Sequence, residues 1–126
     1  MKRLYIALVI LAVVFSATLY NAYFLNQLTG DITALLDRAE SRAKAEDWQS
    51  AAKLTEQAND LWEDHTLYLH IFLRHSNIDD VETSLCEVWE YLRAEDRSNY
   101  AASNARLIAV ISMIYEAEQF SIKNIL

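Results

Sequence analysis

An apolar run near the start of the chain limits its possible folds more than any other feature. Leu4 to Phe15 reads LYIALVILAVVF, and the run continues through Tyr20 to a half-polar turn that ends at Leu25. A helix that crosses a bilayer needs about 20 mostly apolar residues. We therefore predict a membrane anchor over residues 1–25, with residues 4–25 in contact with the lipid bilayer.

The residues that flank this run predict its orientation. Lys2 and Arg3 precede the run, and the first charge after it is Asp31. Basic flanks stay on the cytoplasmic side of a membrane, and Tyr20, Tyr23 and Phe24 are placed as aromatic residues at the opposite interface. The expected localisation is the cell membrane, as a single-pass protein with a cytoplasmic amino terminus and an extracytoplasmic domain over residues 26–126.

A cleaved signal peptide is the main alternative to an anchor, because it also has a basic start and an apolar core. Cleavage needs small residues in an A-x-A-like pattern. Val14-Phe-Ser16 fits that pattern poorly, and Tyr20-Asn-Ala22 fits it less well. The anchor is the preferred interpretation. A secreted helical protein after signal cleavage, or a buried core helix, are the alternatives.

Composition predicts an all-α domain beyond the anchor. The chain has one glycine and no proline, so it lacks the residues that usually mark turns. Its frequent Ala, Leu, Glu, Gln and Arg residues favour helix. A formal net charge of −7 argues against nucleic acid as a partner, since that needs clustered basic residues. The single cysteine, Cys86, cannot form an internal disulfide.

Apolar periodicity and capping residues divide the domain into helices. Asp47 can cap a second helix, Asn77 a third, and Asp96 or Ser98 the last. The expected helices lie at about 26–45, 47–75, 78–93 and 97–119. A break near Asp64-His65 would divide the second helix in two, and the sequence leaves this open. Helices joined by short links favour an up-down antiparallel bundle, with the anchor helix continuing into it.

The stripes of these helices predict the core. Trp48 and Trp62 stand two heptads apart on one face of the second helix, so burial is the preferred interpretation. A platform for an aromatic ligand is the functional alternative for these two residues. The predicted core anchors are Trp48, Trp62, Leu69, Phe72, Leu85, Ile108 and Ile111.

A metal site is a weak candidate at the start of the third helix. His75, Asp79 and Asp80 could approach one another there, but acids in a first turn are already explained by the helix dipole. His65, His70 and His75 recur every five residues, which turns neighbours to different faces of one helix. One glycine cannot build a phosphate loop, and the serines lack a nucleophile elbow. We expect no cofactor and no catalytic activity.

Scattered motifs resemble a known family. They are Asp47-Trp48, Trp62, His75-Ser-Asn-Ile-Asp79 and the end Ser121-Ile-Lys-Asn-Ile-Leu126, behind a basic start and a single anchor. Together they resemble bacterial domain-of-unknown-function family 4363, small membrane-anchored proteins of Gram-positive bacteria. The resemblance implies an envelope protein with no assigned activity and supplies no catalytic residues.

The leading hypothesis for function is a non-enzymatic interaction or structural module of the bacterial cell envelope. Its expected partner is another membrane or envelope protein or a second copy of the chain. A ligand- or metal-sensing extracytoplasmic module is the alternative, and a deep pocket lined by Trp48 or Trp62 would favour it.

Overall fold

The computed structural model describes the backbone of residues 1–73 and 75–125, and the side chains of these residues except 72, 115 and 117–125. The described part consists of helices and turns without a strand, which confirms the all-α prediction. Its helices are α1 (Lys2–Lys44), α2 (Trp48–Asp64), α3 (Thr66–Phe72), α4 (His75–Arg93) and α5 (Arg97–Ile125).

Helix α1 runs without interruption from the apolar segment into the core of the bundle. Its first half is exposed, and burial begins at Leu25. Gly30 lies within the helix on its exposed side, with nothing within 4 Å of the position a Cβ would take. Because the helix continues through Gly30, the residue is tolerated there at a cost of about 1 kcal/mol relative to alanine. The buried face of α1 consists of Leu25, Leu28, Thr29, Ile32, Leu36, Ala39 and Ala43.

The four long helices alternate in direction. The guanidinium of Arg97, at the start of α5, donates a hydrogen bond to the carbonyl of Lys44, at the end of α1 (3.1 Å). Further along, the side chain of Asn104 donates to the carbonyl of Leu36 (3.0 Å). Rising residue numbers on α5 therefore meet falling numbers on α1, and the two helices are antiparallel. With α2 packed on α1 and α4 packed on α5, the predicted up-down antiparallel bundle is confirmed.

The turn between α1 and α2 ends one helix and caps the next. The N–H of Glu46 donates to the carbonyl of Ala43, and the N–H of Asp47 donates to that of Arg42. This is the Schellman pattern, in which the residue after the C-cap is left-handed. Glu46 has a φ of 63°, as the pattern requires. The carboxylate of Asp47 then accepts from the N–H of Ser50 (3.2 Å), which confirms the predicted N-cap.

The turn between α4 and α5 repeats this arrangement with the same three residue types, Ala94-Glu95-Asp96. Glu95 has a φ of 54°, and its N–H and that of Asp96 donate to the last turn of α4. The carboxylate of Asp96 accepts from the N–H of Asn99 (3.3 Å). The two long hairpins of the bundle are therefore closed by equivalent turns.

The prediction of one helix over 47–75 is wrong, because the chain breaks at His65 and again after Phe72. The His65 ring nitrogen Nδ1 lies 2.8 Å from the carbonyl of Leu61, and the Thr66 hydroxyl donates to the carbonyl of Trp62. Such bonds compete with the helix and often bend it, although Thr29 and Thr55 make the same bond inside unbroken helices. The break at His65 is the alternative that the sequence leaves open.

The bounds of two further helices differ from those expected. Helix α4 begins at His75, not at residue 78, and α5 extends to Ile125, not to residue 119. Capping residues and apolar periodicity locate helix ends only to within about two to four residues, and the end of α5 lies beyond that range.

Candidate functional site

The amino-terminal half of α1 is an apolar surface that the described residues of the other helices leave uncovered. Its large apolar side chains between Leu4 and Leu19 range from 44% exposed at Phe15 to 71% at Tyr5. None of the most apolar 18-residue stretch is buried. Helical backbone satisfies its own hydrogen bonds, so such a segment is suited to a medium without water. This segment has the length and composition of a membrane-spanning helix.

Where the exposed segment of α1 meets the bundle, α1 carries three aromatic residues and α3 packs beside it. Tyr20 and Tyr23 are exposed, whereas the Phe24 ring packs on the rings of His65 and Tyr68. The Phe24 centroid lies 4.9 Å from that of Tyr68 and 5.5 Å from that of His65. The Tyr68 hydroxyl also donates to a backbone carbonyl of α1 at the same level (3.5 Å). Helix α3 is therefore fixed beside the end of the apolar segment.

The weak metal candidates His75, Asp79 and Asp80 are all exposed on α4. Among the described residues, no group of three or more His, Cys, Asp or Glu side chains is close enough to hold a metal. The breaks around α3 do bring His70 and His75 together, with ring centroids 5.6 Å apart. Spacing along one continuous helix could not show this contact.

The predicted core anchors differ in how deeply they are buried. Trp62, Leu69, Leu85 and Ile111 are buried. Trp48 and Ile108 are half-buried against the core, and Trp48 packs edge-on against Tyr100 with centroids 5.8 Å apart. The side chain of Phe72 lies outside the described residues. The half-burial of Trp48 follows from its position in the first turn of α2, at the end of the bundle.

Several buried polar groups were not predicted from the sequence. The amide oxygen of Asn104, the hydroxyl of Tyr100 and the indole nitrogen of Trp62 are buried without a hydrogen-bond partner in the described structure. Burial raises the pKa of Tyr100 to about 12, opposed in part by the Thr55 hydroxyl and assisted by Glu40. The Thr55 hydroxyl is near enough to lower the pKa of Tyr100, but the two hydroxyls do not have the geometry of a hydrogen bond. Asn104 interrupts the apolar stripe of α5, and this interruption is the sequence signal from which a buried polar residue could have been predicted.

The cavity beside Trp62 is too small for a ligand. It has a volume of about 10 Å³ and lies between α1, α2, α4 and α5, where Leu36, Val81 and Leu107 also line it. Sites for small molecules have volumes of about 300–1,000 Å³. A surface depression of about 280 Å³ lies at the far end of the bundle, next to Glu40, Lys44 and Arg97. Neither feature is the deep tryptophan-lined pocket that a ligand-sensing module requires.

The fold and the exposed segment define a class: an all-helical protein with one helix that could cross a membrane. Within that class, the chain belongs to the family described as domain of unknown function DUF4363, whose model matches residues 19–125. The match confirms the resemblance seen in the sequence. It also begins inside the apolar segment and includes the whole bundle.

No curated protein and no solved structure matches this chain.

Proposed function

We propose that this protein is a single-pass membrane protein of the bacterial cell envelope whose helical bundle interacts with another envelope protein or with a second copy. Residues 4–25 span the bilayer, the amino terminus is cytoplasmic, and the bundle is extracytoplasmic. The module acts by binding and positioning, without catalysis.

The observation that carries this proposal is the change of environment along α1. One helix is exposed and apolar as far as Leu19 and then buries Leu25, Leu28 and Ile32 in the bundle. Residues 4–25 would be about 33 Å long as a helix, which matches the apolar thickness of a bilayer. An exposed apolar surface of this size is unfavourable in water and is accounted for by lipid.

The continuity of α1 supports an interaction role. A flexible linker would let the bundle rotate freely above the membrane, whereas an unbroken helix holds the bundle at a fixed height and orientation. The same helix supplies one side of the core, through residues such as Leu36 and Ala39. The bundle would therefore present constant faces to a partner in the same membrane.

Membrane extraction tests the anchor. The full chain should stay in the pellet when membranes are washed with alkaline carbonate, and a detergent should release it. Intact mass should show that residues 1–25 are retained. Release by carbonate together with loss of the first 15–25 residues would instead support the secreted alternative.

Crosslinking in native membranes tests the interaction role. Two differently tagged copies, expressed together, distinguish a self-complex from a complex with another protein. A photo-crosslinking residue at an exposed bundle position such as Gln57 should give a discrete adduct. If crosslinking residues placed on every exposed face of the bundle give only the uncrosslinked monomer, the interaction role is contradicted. The proposed anchor is unaffected by that result.

A further inference from the structure

Helix α3 lies at the end of the bundle from which the apolar segment emerges. Tyr68 of α3 donates to the backbone carbonyl of Asn21 and packs on Phe24, both at the end of the apolar segment. The opposite end of the bundle is marked by the contact between Arg97 and Lys44. Helix α4 starts at His75, about 27 Å below that far end. The segment between α2 and α4 therefore crosses the membrane-facing end of the bundle.

The two faces of α3 have different environments. Leu69 is buried in the core, with 1% of its surface exposed. Leu67 and Ile71, four residues apart and hence on one face, are 77% and 67% exposed. Exposed Tyr20 and Tyr23 lie at the same level on α1. Large apolar side chains grouped in this way mark a surface that is normally covered.

The charge distribution indicates what covers this surface. The chain has 18 acidic residues, yet none lies between His65 and Ile78 or before Asp31. Helix α3 itself therefore has no carboxylate that would be repelled by lipid phosphates, whereas Glu63 and Asp64 before it and Asp79 and Asp80 after it are exposed on α2 and α4. Acidic residues are otherwise frequent on α2 and α4.

We infer that the Leu67–Ile71 face of α3 is a second membrane contact, seated in the lipid interface beside the anchor. This inference rests on the proposed membrane anchor. The contact is made by apolar side chains with the boundary between headgroups and acyl chains, the depth at which interfacial helices lie. It fixes the tilt of the bundle relative to the bilayer, since only one side of α1 carries α3.

Fluorescence quenching on the full chain in phosphatidylcholine vesicles tests this contact. Single cysteines at Leu67 or Ile71, in a Cys86→Ser background, carry an environment-sensitive probe. The same probe on the native Cys86, which is exposed on α4, is the matched control for a bundle position in water. A probe at Val9 reports the anchor. Quenchers are a lipid with a nitroxide near its carbonyl and iodide on both sides of the bilayer.

The lipid quencher should reduce fluorescence at Leu67→Cys and Ile71→Cys at least twice as strongly as at Cys86, and iodide should show the opposite order. Probes at both α3 positions that behave like Cys86, while Val9→Cys is lipid-quenched, overturn the α3 contact and leave the anchor standing. A Val9→Cys probe open to iodide overturns the anchor itself. Protection of the α3 probes from both quenchers indicates a protein cover, such as a second copy, and also overturns the inference.

Discussion

The side-chain amide of Asn104 donates a 3.0 Å hydrogen bond to the backbone carbonyl of Leu36, and both residues are fully buried. The bond joins α5 to α1 across 68 positions of sequence and fixes the antiparallel register of the two helices. The Asn104 amide oxygen has no partner in the described structure, so only one side of the amide is satisfied.

Replacing Asn104 with aspartate should destabilise the bundle strongly at neutral pH. A carboxylate can only accept, so it would face the Leu36 carbonyl as a buried, uncompensated charge, at a cost of about 3–5 kcal/mol. The protonated carboxyl group of this variant can donate again, so the loss should shrink as the pH falls toward 4. Chemical denaturation of the full chain in detergent, at neutral pH and at pH 4, measures the loss of stability under each condition. Gln57→Glu makes the same amide-to-carboxylate change at an exposed position and should stay within about 0.5 kcal/mol.

Replacing Trp62 with alanine should cost about 3–5 kcal/mol, the usual loss when a buried aromatic side chain is removed. Trp62 is 4% exposed and lies among helices α1, α2, α4 and α5. Because domains are stable by only about 5–15 kcal/mol, the variant should be partly unfolded. Trp89→Ala, at a half-buried position, is the matched control and should cost clearly less. Equal melting temperatures for the two variants would contradict the placement of Trp62 in the core.

The two Ala-Glu-Asp turns should be stabilised by glycine. Glu46 and Glu95 adopt left-handed backbone, which costs an L-residue about 1–2 kcal/mol, while glycine adopts it freely at some loss of chain entropy. Glu46→Gly and Glu95→Gly should each raise stability by about 0.5–1 kcal/mol. Glu56→Gly, in the exposed interior of α2, should instead lower it by about 1 kcal/mol. A loss of stability at all three positions would show that the turns are not left-handed.

Tyr100 should make the bundle sensitive to alkali. Its pKa is raised to about 12 in the folded protein, whereas an unfolded tyrosine has a pKa of about 10. Above pH 10 the unfolded chain loses the phenol proton and the folded chain keeps it, so the free energy of unfolding falls as the pH rises from 10 to 12. At pH 11 the loss from this group should be about 1 kcal/mol.

Tyr100→Phe provides the comparison for this effect. The hydroxyl has no hydrogen-bond partner in the described structure, so its removal should change stability at pH 7 by less than about 1 kcal/mol. The variant should then lose less stability than the parent between pH 9 and pH 11. Parallel curves for the two proteins over that range would mean that the Tyr100 pKa is not raised by burial.

Local sequence signals predicted most of the architecture. Asp47 was expected to cap the second helix and either Asp96 or Ser98 the last, and both Asp47 and Asp96 accept from the backbone three residues later. Leu25, Leu28, Ile32, Leu36 and Ala39 recur at helical spacing in the sequence, and all five are buried on one face of α1. These features depend on neighbours in sequence, where capping and helical periodicity act directly.

Features set by contacts between helices could not be predicted in this way. The contact of Tyr68 with Asn21 and the unpartnered Asn104 amide oxygen depend on how α3 and α5 pack on α1. No sequence spacing encodes these relations, because they join residues of different helices.

The central claim is that the chain crosses the membrane once with its amino terminus in the cytoplasm. Labelling of single cysteines by an impermeant thiol reagent on intact cells tests this claim most directly. Ser41→Cys, in a Cys86→Ala background, places a thiol on an exposed position of α1 beyond the apolar segment. Lys2→Cys in the same background places one on the other side of the membrane. We expect Ser41→Cys to react on intact cells and Lys2→Cys to react only after lysis. The opposite pattern, or reaction of both residues on intact cells, would contradict a single span with a cytoplasmic amino terminus.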